Sequence, residues 1–336
     1  MKRLFAALSL CLAAPAAFAQ QCAGDNLIAA LPEADRAEIS RRTEAVPYTE
    51  GLFWRAEKGG DSMILIGTFH FDHPLHSQVL ERFGQDLANA DALLVEMGPE
   101  EQAQLQQAMI EDPSLMMQPD GPTLPERLSD AQWQQLSGAM EDRGIPAVMV
   151  SKMRPWYAAT MMGLSPCMMR EMAANGGEMT GLDWQLVKAA TQSGTRIKAL
   201  EPWDTVLKMF GQMTPEEQIE MIVYSLPAAA HADDYAATMI DAYADQSVWP
   251  IWEFGRIDAY SNTDLSRDEV DEMTAEAQEL LMDDRNRSWI GPLTKAAEAA
   301  GGEGIVAAFG ALHLPGENGV LRLLEKDGWS IERLSL

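Results

Sequence analysis

Two stretches far apart in the chain repeat one pattern of apolar and polar positions. The strand-like run Ile64-Leu65-Ile66-Gly67-Thr68-Phe69-His70 stops at a glycine and presents a histidine three residues later. Val306-Ala307-Ala308-Phe309-Gly310-Ala311-Leu312-His313 does the same near the end. A helix-length stretch follows each, from Leu75 to about Ala90 and from Val320 to about Lys326, and another strand-like run follows each helix, Ala92 to Met97 and Trp329 to Leu334. The spacing predicts two units of strand, Gly-x-x-His loop, helix and strand. Ahead of the first unit, Gly51 to Ala56 and Ser62 to Ile66 are strand-like runs joined by Lys58-Gly59-Gly60-Asp61, a hairpin pattern. The fold class that follows is α/β with a central mixed sheet. In such sheets ligands bind beyond the carboxyl ends of the strands, so both histidines are expected at one edge.

Elsewhere the period is helical. Gly24 to Arg42 carries Leu27, Ile28, Leu31 and Ile39 at helix spacing. From about residue 100 to 300 a mostly helical insert is expected. In it Ser129-Asp130-Ala131-Gln132 and Thr214-Pro215-Glu216-Glu217 have capping-box spacing, the first ahead of Trp133, Leu136 and Met140 on one face. One strand near 196–201 interrupts the insert: Arg196-Ile197-Lys198-Ala199-Leu200, ending in Glu201-Pro202.

The first residues stand outside that scheme. Lys2 and Arg3 precede the apolar run Leu4 to Ala17, and Ala17-Phe18-Ala19 supplies a small-x-small pattern, so residues 1–19 read as a signal peptide cut after Ala19. The run is too short for a stable membrane span. A periplasmic or secreted protein with one domain over residues 20–336 is expected. The cut removes Cys11 and leaves Cys22 and Cys167, an even pair in an oxidising compartment and a candidate disulfide. The chain carries 51 acidic and 25 basic residues, a formal charge of −26. That field repels phosphate backbones and anionic lipid, which excludes nucleic acid and membrane surfaces as natural partners. The 21 methionines, several in pairs, read as gap-fillers of helical cores in preference to soft copper ligands.

Histidine carries the candidate chemistry because there are only five: His70, His73, His76, His231 and His313. His70 and His313 with the strand-end carboxylate Glu96 would supply two neutral nitrogens and one oxygen. That is a common ligand set for a catalytic divalent ion with a position left open for water. Mn, Co and Zn all suit it. Glu201 ends another strand and, with Glu96, is a candidate general base. Two acids buried side by side without compensation are costly, so a metal-free protein is expected to show a raised carboxylate pKa at this edge.

At these positions the chain resembles the TraB/PrgY/GumN proteins, relatives of the Tiki metalloproteases. The resemblance runs in order through Gly67 to His70, Glu96 in Leu94-Val95-Glu96-Met97, Gly181-Leu182-Asp183, Glu201 in Ala199-Leu200-Glu201, Arg285-Asn286 with Trp289 nearby, and Gly310 to Gly319. It implies an α/β domain with the paired motifs at one site, and metal-dependent peptide-bond hydrolysis of the Tiki kind. Arg285 would then bind a substrate carboxylate or steady an oxyanion, or else form a structural salt bridge, and Asn286 would orient a partner. The reading from a different class is a non-catalytic protein that sequesters a peptide, haem or another small ligand at the same edge.

Overall fold

The computed structural model describes residues 24–177 and 180–336. Among them six strands form one mixed sheet: β1 (Phe53–Lys58), β2 (Asp61–Thr68), β3 (Ala92–Val95), β4 (Arg196–Ala199), β5 (Ile305–Gly310) and β6 (Ser330–Arg333), in the order β4-β3-β5-β2-β1-β6. β4, β3, β5 and β2 run parallel to their neighbours, while β1 is antiparallel to β2 and to β6. Gly59 and Gly60 close the β1–β2 hairpin with φ of 62° and 103°, left-handed backbone that glycine adopts without a Cβ penalty.

Strand periodicity places both faces of this sheet in core. Met63 and Leu65, Ala92 and Leu94, and Ile305, Ala307 and Phe309 pack on one face, under the helices Asp284–Ala299 and Val320–Lys326. Their alternates Ile66, Leu93, Val95, Val306 and Ala308 pack on the other, under the helices Leu75–Asn89 and Leu182–Ser193. Parallel strands covered on both faces read as continuous apolar runs, which is how β3 and β5 appear in the sequence.

Most of residues 99–299 is helical, as the periodicity predicts. Ser129 and Thr214 cap their helices, and each capping box closes, with Gln132 and Glu217 reaching back. β4 departs from the picture of a strand inside an insert: it pairs with β3 and forms the edge of the main sheet. The single helix expected over Gly24 to Arg42 is two, Leu27–Ala30 and Glu33–Glu44. Pro32 explains the break, because its ring disfavours helical backbone at the residue before it, and Leu31 is extended at ψ 154°.

The expected signal peptide and Cys22 lie outside the described residues. No described helix is long and apolar enough to cross a membrane. Asp25 N–H donates to Asp234 Oδ1 (2.9 Å), and the neighbouring Asp233 Oδ1 accepts from the Cys167 N–H (3.0 Å), so the chain just after Cys22 is held beside Cys167. We propose the Cys22–Cys167 bond on that proximity. Alkylation of the protein under non-reducing conditions should label neither thiol; labelling of both would refute the bond.

His76 gives the fold a pH dependence. Its side chain is buried, Nδ1 faces Gln185 Nε2 at 3.2 Å and Nε2 has no partner. Burial, with the charge of His73, pulls its pKa down to about 4. The unfolded chain, near 6.5, binds a proton that the fold refuses, so stability is full above about pH 6.5 and falls as pH drops towards 4. The term amounts to about 3 kcal/mol. Urea denaturation at pH 7 and pH 4.5 should lose less stability for His76→Leu than for the parent; equal losses would remove His76 as the cause.

Candidate active site at the sheet edge

Register brings the separated motifs together. Thr68 at the end of β2 pairs with Gly310 at the end of β5, and Val95 of β3 pairs with both Ala308 and Ala199. His70, His313, Glu96 and Glu201 therefore leave the carboxyl ends of four adjacent parallel strands on one edge.

Gly310 sits at the centre. A Cβ built on it would lie 3.3 Å from Glu96 Oε1, 3.5 Å from His313 Cδ2 and 3.9 Å from His70 Nε2, so the three side chains form a cradle that a methyl group would fill. Each imidazole is fixed from behind by an oxygen on Nδ1. His70 Nδ1 faces Asp183 Oδ1 at 3.2 Å, and His313 Nδ1 faces Asn286 Oδ1 at 2.7 Å. Asn286 is in turn anchored by donating to the Asn318 carbonyl (2.9 Å), and Asn318 donates to Asp283 Oδ2 (3.0 Å). The His70 loop is pinned by Leu182 N–H to the Phe69 carbonyl (2.9 Å) and Tyr243 O–H to the Gly67 carbonyl (3.0 Å). Gly181 permits the approach, because any Cβ there would meet the His70 backbone at 2.5 Å.

Arg285 ties the acids to the histidines. Its Nε–H and Nη2–H donate to Glu201 (3.0 and 2.7 Å), Nη2–H to Glu96 Oε2 (2.5 Å), and Nη1–H to the Leu281 carbonyl and His313 Nε2 (both 3.2 Å). Guanidinium has five N–H groups, and these contacts use all of them. The arrangement is the structural salt bridge: no donor remains for a substrate carboxylate or an oxyanion. Glu201 also accepts from Trp289 Nε1–H (3.2 Å), while Glu96 accepts from the Gly310 N–H (2.6 Å).

The charge states follow. Burial opposes ionisation of Glu96, but the charges of His313, Arg285 and His70 and the Gly310 N–H outweigh it and bring the pKa down to about 2. At neutral pH His313 is itself uncharged, since burial, against the pull of Glu96, takes it to about 4. Arg285, His70 and the Gly310 N–H are then what keep Glu96 ionised. The raised carboxylate expected from the sequence is thus reversed at Glu96, because Arg285 supplies the compensating charge. His70 moves up to about 9: burial pulls it down, and the bond and charge of Asp183, with Glu96, more than reverse that. With 55% of its side chain open to solvent, screening softens each of these effects, and the upward direction stands on the Asp183 contact. His231, also largely open, pairs with Asp234 at 3.8 Å, far along the chain from this edge.

Among the described residues no group of three His, Cys, Asp or Glu is already spaced to hold a metal ion. The donor chemistry fits one at His70, which presents Nε2 at the cradle, and both imidazoles have Nδ1 held by an oxygen, the backing usual for metal-bound imidazole; His313 turns Cδ2 to the cradle, so its Nε2 would have to exchange the Arg285 N–H for the ion. Two contributors escaped the sequence reading. Asp183 belonged to the Gly-Leu-Asp element without a role, and Asn318 belonged to the second motif. Only tertiary packing shows that they orient His70 and Asn286.

Residues 52–333 match the model of the TraB/PrgY/gumN family, and the chain belongs to that family. A comparison with curated proteins finds no match.

Proposed function

We propose that the protein is an exported metal-dependent hydrolase of peptide or related amide bonds. The observation that carries this reading is the Gly310 cradle, where two back-supported imidazoles and an ionised carboxylate meet beside a residue that has no side chain. His70, His313 and Glu96 would hold a divalent ion. Bound there, Mn, Co or Zn supplies a water of lowered pKa and polarises a carbonyl.

The chain's own residues divide the remaining work. Asp183 and Asn286 set the orientation of the two rings. Glu96, whose side chain is 19% exposed against 8% for Glu201, is the carboxylate that reaches the cradle. Glu201 and Trp289 hold Arg285, which keeps Glu96 in place and ionised. The reading as a non-catalytic binding protein draws its support from Arg285, whose every N–H is already paired.

Peptide-library cleavage with added Mn, Co or Zn, run against His313→Ala, separates the two. Cleavage that needs the ion and is lost in the variant supports the hydrolase. Ligand binding with neither cleavage nor stoichiometric metal supports the binding protein.

A further inference from the structure

A cavity of about 720 Å³ lies among the helices Pro215–Ala229, Ala232–Ala244, Trp249–Asn262 and Arg267–Gln278, away from the sheet. Protein interiors are close-packed, and voids much larger than a water molecule are few. A space of this size falls in the range of ligand sites.

Its lining is specific in three ways. Six methionines face it, Met162, Met209, Met213, Met221, Met239 and Met273, and thioether side chains make an adaptable apolar surface. Trp252 also lines it, and its indole Nε1–H, sealed from solvent, meets no protein acceptor. At the rim stand Glu220 and Glu276, neither of which has a basic partner among the described residues. The cation of the cavity, Arg256, is already paired with Glu253 (2.9 Å) and Asp271 (2.6 Å), so the excess charge is negative.

The cavity also touches the sheet-edge site from two sides. Leu281, in the π-turn Glu279–Asp283, lines the cavity, and its carbonyl accepts from Arg285. Met239 lines it and packs against the buried pair Met168 and Ala236, as do Phe69 and Phe71, which flank His70. Turns of π-helix inside α-helices recur at functional sites, where they re-aim backbone groups.

We infer that this cavity binds an apolar peptide segment carrying positive charge, and that it thereby selects the substrate of the sheet-edge site. Methionines and the Trp252 ring receive the apolar side chains, and Glu220 and Glu276 attract lysine, arginine or a terminal ammonium. A neutral apolar molecule would leave the rim acids without a role, and an acidic peptide would be repelled. The selection of substrate rests on the hydrolase reading; the binding itself does not.

Gly255 provides the test. It lines the cavity, and a Cβ built on it meets nothing within 4 Å, so Gly255→Leu fills the space without a clash and replaces glycine inside a helix. The probe is a blocked hexapeptide of alternating leucine and lysine, with its leucine–glutamate counterpart as control, titrated calorimetrically into the full chain. The lysine peptide should bind in a 1:1 complex at least tenfold more tightly than the glutamate peptide. Gly255→Leu should weaken it at least tenfold with an unchanged or higher Tm, and His70→Ala should bind as the parent does. Gly163→Leu, at a second open lining position, repeats the test should the first variant fold poorly. Equal binding of the two peptides, or undiminished binding by the well-folded filled variant, overturns the inference. Lysine-peptide binding without cleavage upholds the cavity and sinks the hydrolase; cleavage indifferent to Gly255→Leu does the reverse.

Discussion

Replacing Arg285 with leucine is expected to cost about 3–5 kcal/mol of folding stability, among the largest effects of any single substitution in this chain. The guanidinium is 17% exposed and stands between Glu96 and Glu201. Without it two carboxylates with little access to water face each other unpaired, and His313 Nε2 loses its donor. The cost lies less in the lost attraction than in the desolvated charge left behind. A second measurement separates these causes. In Arg285→Leu/Glu96→Gln/Glu201→Gln no unpaired charge remains, and a good part of the stability should return. In Arg285→Leu alone the pKa of Glu96 should rise from its present value of about 2, because burial then goes largely unopposed. A loss below about 1 kcal/mol in urea denaturation would mean that the network is screened like a surface pair.

How far the sequence discloses this arrangement depends on the range of the interactions. The strands and their carboxyl-edge residues are legible because short apolar runs ending in Gly-x-x-His or a glutamate are local patterns. Parallel sheet topology then carries His70, Glu96, Glu201 and His313 to one edge without further information. The break at Pro32 is equally local: the proline forces Leu31 into extended backbone although the apolar spacing on either side is that of one helix. What stayed hidden is long-range. Asp183 reaches His70 across 113 positions and Arg285 reaches Glu96 across 189, and no periodicity encodes either contact. The methionines show the same limit. As gap-fillers they are correctly placed in the helical region, where Met140 and Met168 are buried, yet six others surround an unfilled space. Composition does not distinguish a methionine that fills a gap from one that borders it.

The proposed chemistry makes its largest demand on His70. His70→Ala removes the half-exposed imidazole of the cradle and with it a ligand of the ion, and peptide cleavage should fall in kcat/KM by more than the roughly 10–100-fold that an outer partner of metal-bound histidine is worth. Asp183→Asn leaves the ring in place and changes only the group behind it. A loss of roughly 10–100-fold is expected, the size seen for outer partners of metal-bound histidine. Gly310→Ala tests the cradle without touching any of these side chains. Its methyl group would stand 3.3 Å from Glu96 Oε1 and 3.5 Å from His313 Cδ2, tighter than ordinary contact with the first, on a backbone whose φ of −49° an alanine accepts. The fold should therefore tolerate it while stoichiometric metal and cleavage both fall. Metal content by elemental analysis and Tm, measured on the same preparation, distinguish the outcomes. Full cleavage by a well-folded Gly310→Ala would move the reaction away from this edge, whereas loss of metal and cleavage at an unchanged Tm would place it between the two histidines.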